Sequence, residues 1–155
     1  MRVFATSDLH VDYEENQSWV LSISQQEFRT DILIVAGDVS DYLDAVAMTL
    51  SALTARFHKV LYVPGNHELW VMRDRKPKSS SEKLHEVLAV AESCGASTKT
   101  FHSQKLAIVP LLGWYDYSFG EPSGRLGSCM DGLQELPLAA ALPRAGDILS
   151  AQLSQ

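Results

Sequence analysis

Three short, mostly apolar runs, at residues 2–6, 31–36 and 59–63, constrain this chain more than anything else in it. Each ends in a polar string: Asp8-Leu9-His10 after the first, Gly37-Asp38-Val39-Ser40-Asp41 after the second, and Gly65-Asn66-His67-Glu68 after the third. Continuous apolar character of this kind does not alternate between a wet and a dry face. It suits strands of a parallel sheet buried on both sides.

Helical patterns separate the runs. Trp19, Val20, Ile23 and Phe28 make a modest stripe, and Leu43, Val46, Ala47, Leu50, Leu53 and Phe57 a stronger one at spacings of three and four. Ser40 or Asp41 is the expected N-cap of the second helix. The order β-α-β-α-β implies right-handed crossovers and a parallel sheet. A third helix is predicted over 81–94, with Ser79 and Glu82 at capping-box spacing and Gly95 at the C′ position. Two short strands, 98–102 and 106–112, are expected around a turn at Ser103-Gln104, with Pro110 marking the second as an edge or bulged strand. From residue 114 the chain becomes aromatic and turn-rich, and Pro137 and Pro143 interrupt its last third. The expected organisation is a folded unit over 1–113 and an irregular, loop-rich tail over 114–155, with at most a short helix near Ile148.

At 155 residues the chain has the length of one domain able to bury a real core. Its formal charge of −6 argues against a nucleic-acid surface as the main partner. Cys94 and Cys129 are far apart and form no C-x-x-C pair, so no disulfide framework is expected and a reducing, cytoplasmic setting is the default. No run approaches the roughly 18 apolar residues of a membrane span, and the first apolar stretch ends at Asp8, too early for a secretory signal.

The polar strings carry the chemistry. In a parallel α/β sheet the functional crevice lies at the carboxyl ends of the strands, which gathers Asp8, Asp38 and Asn66 at one edge. Asp8 and His10 are two apart, and extended backbone would point both the same way. A carboxylate, an imidazole, a second carboxylate and an amide oxygen form a mixed N/O set that suits Mn, Fe or Zn. Such a set can hold divalent ions against a phosphate ester. Gly37 and Gly65 stand directly before donors, where a sharp turn needs tolerant backbone. Taken singly, each polar residue has a plainer use as a turn or cap.

D-x-H, G-D-x-x-D and G-N-H-E in this order, with 26 residues (11–36) and 23 residues (42–64) between them, resemble the calcineurin-like metallophosphoesterase superfamily. The resemblance is strongest over residues 2–68. It implies an αββα sandwich, of which this chain supplies the parallel β-α-β-α-β half and is apparently truncated after it. It also implies that Asp8 and His10 bind one metal, that Asp38 bridges two and that Asn66 binds the second. His67 would protonate the leaving oxygen, with Asp41 as its carboxylate partner. Family members complete both metal shells with later histidines, including a G-H-x-H string that is absent here. Two ions in the family pattern therefore become one or none expected for this chain.

Two functional expectations emerge. One is a metal-dependent phosphoesterase acting on a phosphorylated small molecule or other phosphoester. The other is a non-catalytic binding or regulatory protein derived from such an enzyme. A sheet lacking its second layer would expose apolar surface and favour self-association. The basic residues Arg73, Arg75, Lys76, Lys78 and Lys83 are expected on a solvated loop. Trp70 and the aromatic string at 114–119 are expected either to line a substrate pocket or to pack. His85 and His102 are expected to be surface or partly buried histidines without a ligand role.

Overall fold

The parallel arrangement is present. A computed structural model describes residues 1–74 and 77–113. Its central sheet has the order β1 (Val3–Thr6), β2 (Ile32–Ala36), β3 (Lys59–Val63), all parallel. In register, Val3 faces Ile32, which faces Lys59. Ser97 extends the sheet by one parallel bridge beside Leu61. The crossovers are α1 (Glu14–Ser22) and α2 (Leu43–Thr54), followed after β3 by a 3-10 turn (His67–Leu69) and α3 (Ser80–Ser93). Expectations for Arg75, Lys76, Cys129 and residues 114–155 lie outside the described residues.

The core forms where Leu33, Val35, Val60 and Tyr62 on one sheet face meet Val20 of α1, Val46, Leu50 and Leu53 of α2, and Val87 and Ala91 of α3. Fully burying each such side chain contributes about 1.5–3 kcal/mol. Phe4 and Phe57 close the end of this core with Phe28, which lies edge-on to Phe4 (centroids 5.4 Å apart) and stacked on Phe57 (5.0 Å). Buried Arg56 serves the helix ends. Its guanidinium donates to the carbonyls of Leu21 and Ile23 at the end of α1 and of Ala52 in α2, at 2.7–2.9 Å.

The opposite sheet face differs from expectation. Ile32 and Leu61 are buried there, but Val3 is 42% exposed and Ala5 is exposed. Helices cover the first face; a hairpin of β4 (Phe101–His102) and β5 (Ala107–Ile108) lies beside the second, where Ile34, Leu61 and Val63 share an apolar groove with residues 108–111. Both hairpin strands are shorter than predicted, with two antiparallel pairs.

Local signals match the structure best at α3. Ser79 Oγ accepts from Glu82 N, and the Glu82 carboxylate accepts from Ser79 N. At the other end Gly95 adopts φ +82°, Gly95 N donates to Glu92 O and Ala96 N to Ala91 O, a Schellman closure. At α2 the N-cap is Tyr42, without a side-chain cap. Ser40 Oγ instead accepts from Tyr42 N and donates to Asp12, so it braces the loop before the helix. In α1 only Val20 is buried, and Trp19 is 54% exposed, because the short helix turns a single edge to the core. No helix among the described residues is long and apolar enough to cross a membrane.

The start of the sheet is tied by Arg2, whose backbone N–H and guanidinium both donate to buried Asp31. These bonds hold the Asp31 carboxyl below its ordinary value. A depressed folded value contributes stability above the unfolded pKa that is lost as pH falls through the folded one. Asp31→Asn is therefore expected to lower the urea midpoint at pH 6. The two midpoints should converge below about pH 4; a gap that stays constant to pH 2.5 would assign the effect to packing.

Candidate metal centre

The loops after β1, β2 and β3 emerge side by side and are laced together through their backbones. Asp8 N donates to Gly37 O (3.2 Å), His10 N to Asp38 O (3.0 Å) and Val11 N to Val39 O (3.0 Å), so the first loop continues the pairing of its strand. The second and third loops touch more closely. A Cβ on Gly37 would lie 2.5 Å from Gly65 Cα, and one on Gly65 would overlap Asp38 Oδ1. Glycine is required at both positions because backbone and carboxylate occupy the side-chain space.

Glu68 locks this contact. Its carboxylate is fully buried and accepts three backbone N–H groups: Asp38 (3.0 Å), Val39 (2.6 Å) and Gly65 (2.8 Å). Tyr62 lies beside it, and burial together with the Glu68 charge raises the phenol far above its ordinary value. His67 N donates in turn to Asp38 Oδ1 (3.1 Å), which aims the aspartate.

Backbone strain marks the same residues. Asp8 (φ 54°), His10 (φ 41°) and Asp38 (φ 55°) are the non-glycine residues with positive φ among those described. Left-handed backbone in non-glycine residues is uncommon and costs about 1–3 kcal/mol per residue. Here it falls on three of the four predicted metal ligands. It also corrects the expectation that extended backbone points Asp8 and His10 the same way.

One donor atom each from His10, Asp38 and His67 lie within 4.8 Å of one another, all half-buried. The two imidazoles meet edge to face at 4.7 Å. Asp8 is exposed and outside this group, and Asn66 is exposed at the start of the 3-10 turn. His67, expected as a proton donor, thus lies close beside the His10 and Asp38 donors. Its other face lies against the Trp70 indole, with centroids 3.9 Å apart. Asp41 is buried, and its carboxylate pairs with Arg73 (3.2 Å) where the sequence predicted His67; Arg73 also lies over the Tyr42 ring. The His10 imidazole and the Asp38 carboxylate, both on strained backbone, with the His67 imidazole close by, form a mixed N/O set that fits a divalent ion of the Mn, Fe or Zn type.

Glu68 and Lys83 are the residues that motif reading left without a role. Lys83, expected on a solvated loop, is buried on α3. Its place in the sequence did carry a signal, because Lys83, Val87 and Ala91 recur at intervals of four along the buried stripe.

A parallel α/β half-sandwich with its donors at the strand ends is the architecture of metal-dependent phosphoesterases. The family model for calcineurin-like phosphoesterases matches residues 1–143, and the chain belongs to that family. It is 34% identical over 125 residues to the [acyl-carrier-protein] phosphodiesterase PptH of Mycobacterium tuberculosis (strain ATCC 25618 / H37Rv), a match covering 76% of this chain and 38% of that protein. The crystal structure of phosphopantetheinyl hydrolase (PptH) from the same species superposes with a TM-score of 0.67 at 30% identity, covering 86% of this chain and 51% of that one. The chain thus spans about half or less of the length of these relatives.

Gly65→Ala tests the cradle. The added methyl must displace the Asp38 carboxylate, so Mn²⁺ affinity measured by calorimetry should fall roughly 10-fold or more, as for other changes that misalign a ligand. Unaltered affinity would show that Asp38 does not hold the ion.

Proposed function

We propose that this chain carries the metal-binding half of a phosphoester hydrolase, and that its substrate is a phosphodiester of the kind named for PptH, a phosphopantetheinyl group on an acyl-carrier protein. The observation that carries the reading is the convergence of His10, Asp38 and His67 at the ends of three parallel strands, the first two on strained backbone. The similarity to PptH supports the substrate class.

In this reading Asp8, His10, Asp38 and Asn66 are the residues that would hold divalent metal. Divalent ions so held supply positive charge to the phosphoryl oxygens and lower the pKa of an attacking water. Hydrolysis forms one O–P bond and breaks the bond from phosphorus to the leaving alcohol, whose oxygen must receive a proton. His67 delivers it. The Trp70 indole fixes the plane of that imidazole, and the Asp38 carboxylate accepting from His67 N sets its backbone. Asp41 acts through Arg73, whose half-exposed guanidinium stands at the rim to meet an anionic substrate. The few cysteines support a reducing, cytoplasmic setting. Exposed Val3 and Ala5 on the open sheet face support self-association, which light scattering over a concentration series measures.

Two variants separate the roles. Asp38→Ala is expected to abolish Mn²⁺ binding in calorimetry. His67→Ala is expected to keep binding while hydrolysis of an alkyl phosphodiester falls about 10²-fold or more, and hydrolysis of a 4-nitrophenyl ester falls far less. Loss of Mn²⁺ in His67→Ala would make that histidine a ligand. Tight Mn²⁺ binding without hydrolysis of any ester would favour the non-catalytic binding or regulatory role.

A further inference from the structure

Lys83 is 1% exposed, yet it is a cation on the helix face that packs toward the site. An ammonium has three protons and no acceptor, so a buried one must find three acceptors. Lys83 Nζ donates to Asp41 O (2.8 Å) and to Trp70 O, and it lies 3.4 Å from the Asp74 carboxylate. These partners belong to three different segments: the loop after β2, the end of the 3-10 turn, and the stretch just beyond it. The capping box at Ser79 and Glu82 fixes the first turn of α3, and Lys83 N continues the helix by donating to Ser79 O.

The two hydrogen-bond acceptors are backbone carbonyls of residues that touch the site through their side chains, and Asp74 adds an ion pair. Trp70 lies against His67 at 3.9 Å, and Asp41 holds Arg73 at 3.2 Å. Neither carbonyl is tied to the other loop by any other hydrogen bond among the described residues. We infer that Lys83 is a positioning residue: its ammonium sets the spacing between the Asp41 loop and the Trp70 turn, and so holds the His67 imidazole and the Arg73 guanidinium in one arrangement. His10 and Asp38 are positioned by other bonds, to Glu68 and between the first two loops. The inference therefore separates two quantities, since metal affinity should not depend on Lys83 whereas the geometry of the proton donor should. Its kinetic part rests on the hydrolase reading above; its structural part does not.

The test compares Lys83→Met with Val87→Ala, a core truncation on the same helix face. In the metal-free protein, the His67 ring protons are expected to be shifted upfield in NMR spectra by the adjacent indole. Lys83→Met is expected to move them clearly beyond the spectral linewidth, and Val87→Ala to leave them in place at a comparable loss of urea midpoint. Mn²⁺ affinity should stay within about twofold in both. With an alkyl phosphodiester, kcat should fall roughly 10- to 100-fold in Lys83→Met with KM little changed. Lys83→Gln, which keeps a donor but reaches one carbonyl at a time, should shift the same resonances less, and it decides the matter if the methionine variant does not fold. Unmoved His67 resonances in a folded Lys83 variant would overturn the inference, whether or not any ester is hydrolysed. Absence of hydrolysis in the parent, with the shifts as expected, would count against the hydrolase reading alone.

Discussion

A carboxylate buried without solvent survives only if the protein replaces its hydration, and Glu68 does so with three backbone N–H groups from two loops. Much of the site depends on that substitution. The donors come from residues 38, 39 and 65, so the bonds cannot form unless the turns after β2 and β3 approach each other. That approach in turn leaves no room for a side chain at Gly37 or Gly65. Removing the carboxylate would leave three N–H groups without an acceptor, at about 1–3 kcal/mol each. Charge, glycine placement and strand order thus form one constraint.

Strain enters at the same point. Left-handed backbone at Asp8, His10 and Asp38 is unfavourable, and the bonds from Asp8 to Gly37, His10 to Asp38 and Val11 to Val39 help to offset it. The strained conformations turn the chain sharply after β1 and β2, so that side chains from separate strands meet. Converging donors of this kind repel one another or compete for protons until a cation lies among them. A fold that accepts strain at three donors at once is organised around binding.

How much of this the sequence disclosed divides along physical lines. Signals that are local in sequence were legible: the apolar runs, the α2 stripe, the Ser79–Glu82 box, the closure at Gly95, and the three polar strings themselves. Features set by packing across the chain were not. Nothing near Trp19 says that α1 turns only one edge inward, and nothing near Asp41 says that Arg73, 32 residues later, takes the place predicted for His67. Extended geometry for Asp8 and His10 was the natural expectation after a strand, and the backbone pairing with the second loop overrode it. Lys83 is the instructive case. Its charge argued for solvent and its helical register argued for the core, and the register prevailed because two carbonyls and the Asp74 carboxylate were waiting there.

The order of the site and the covering of the sheet are separate problems in this molecule. Among the described residues, the bonds that shape the donors are Glu68 to the two loops, His67 to Asp38, and Lys83 to Asp41 and Trp70. None uses the face where Val3 and Ala5 are exposed. Burial on that face rests on the short hairpin and on residues 108–111, whose groove with Ile34 and Val63 is apolar. Apolar strands ordinarily acquire a second packing layer, and whatever covers this one stabilises the sheet without needing to rearrange the donors. The donor geometry therefore rests on the loops at the carboxyl ends of β1, β2 and β3 and on Lys83 of α3, apart from the face that Val3 and Ala5 occupy.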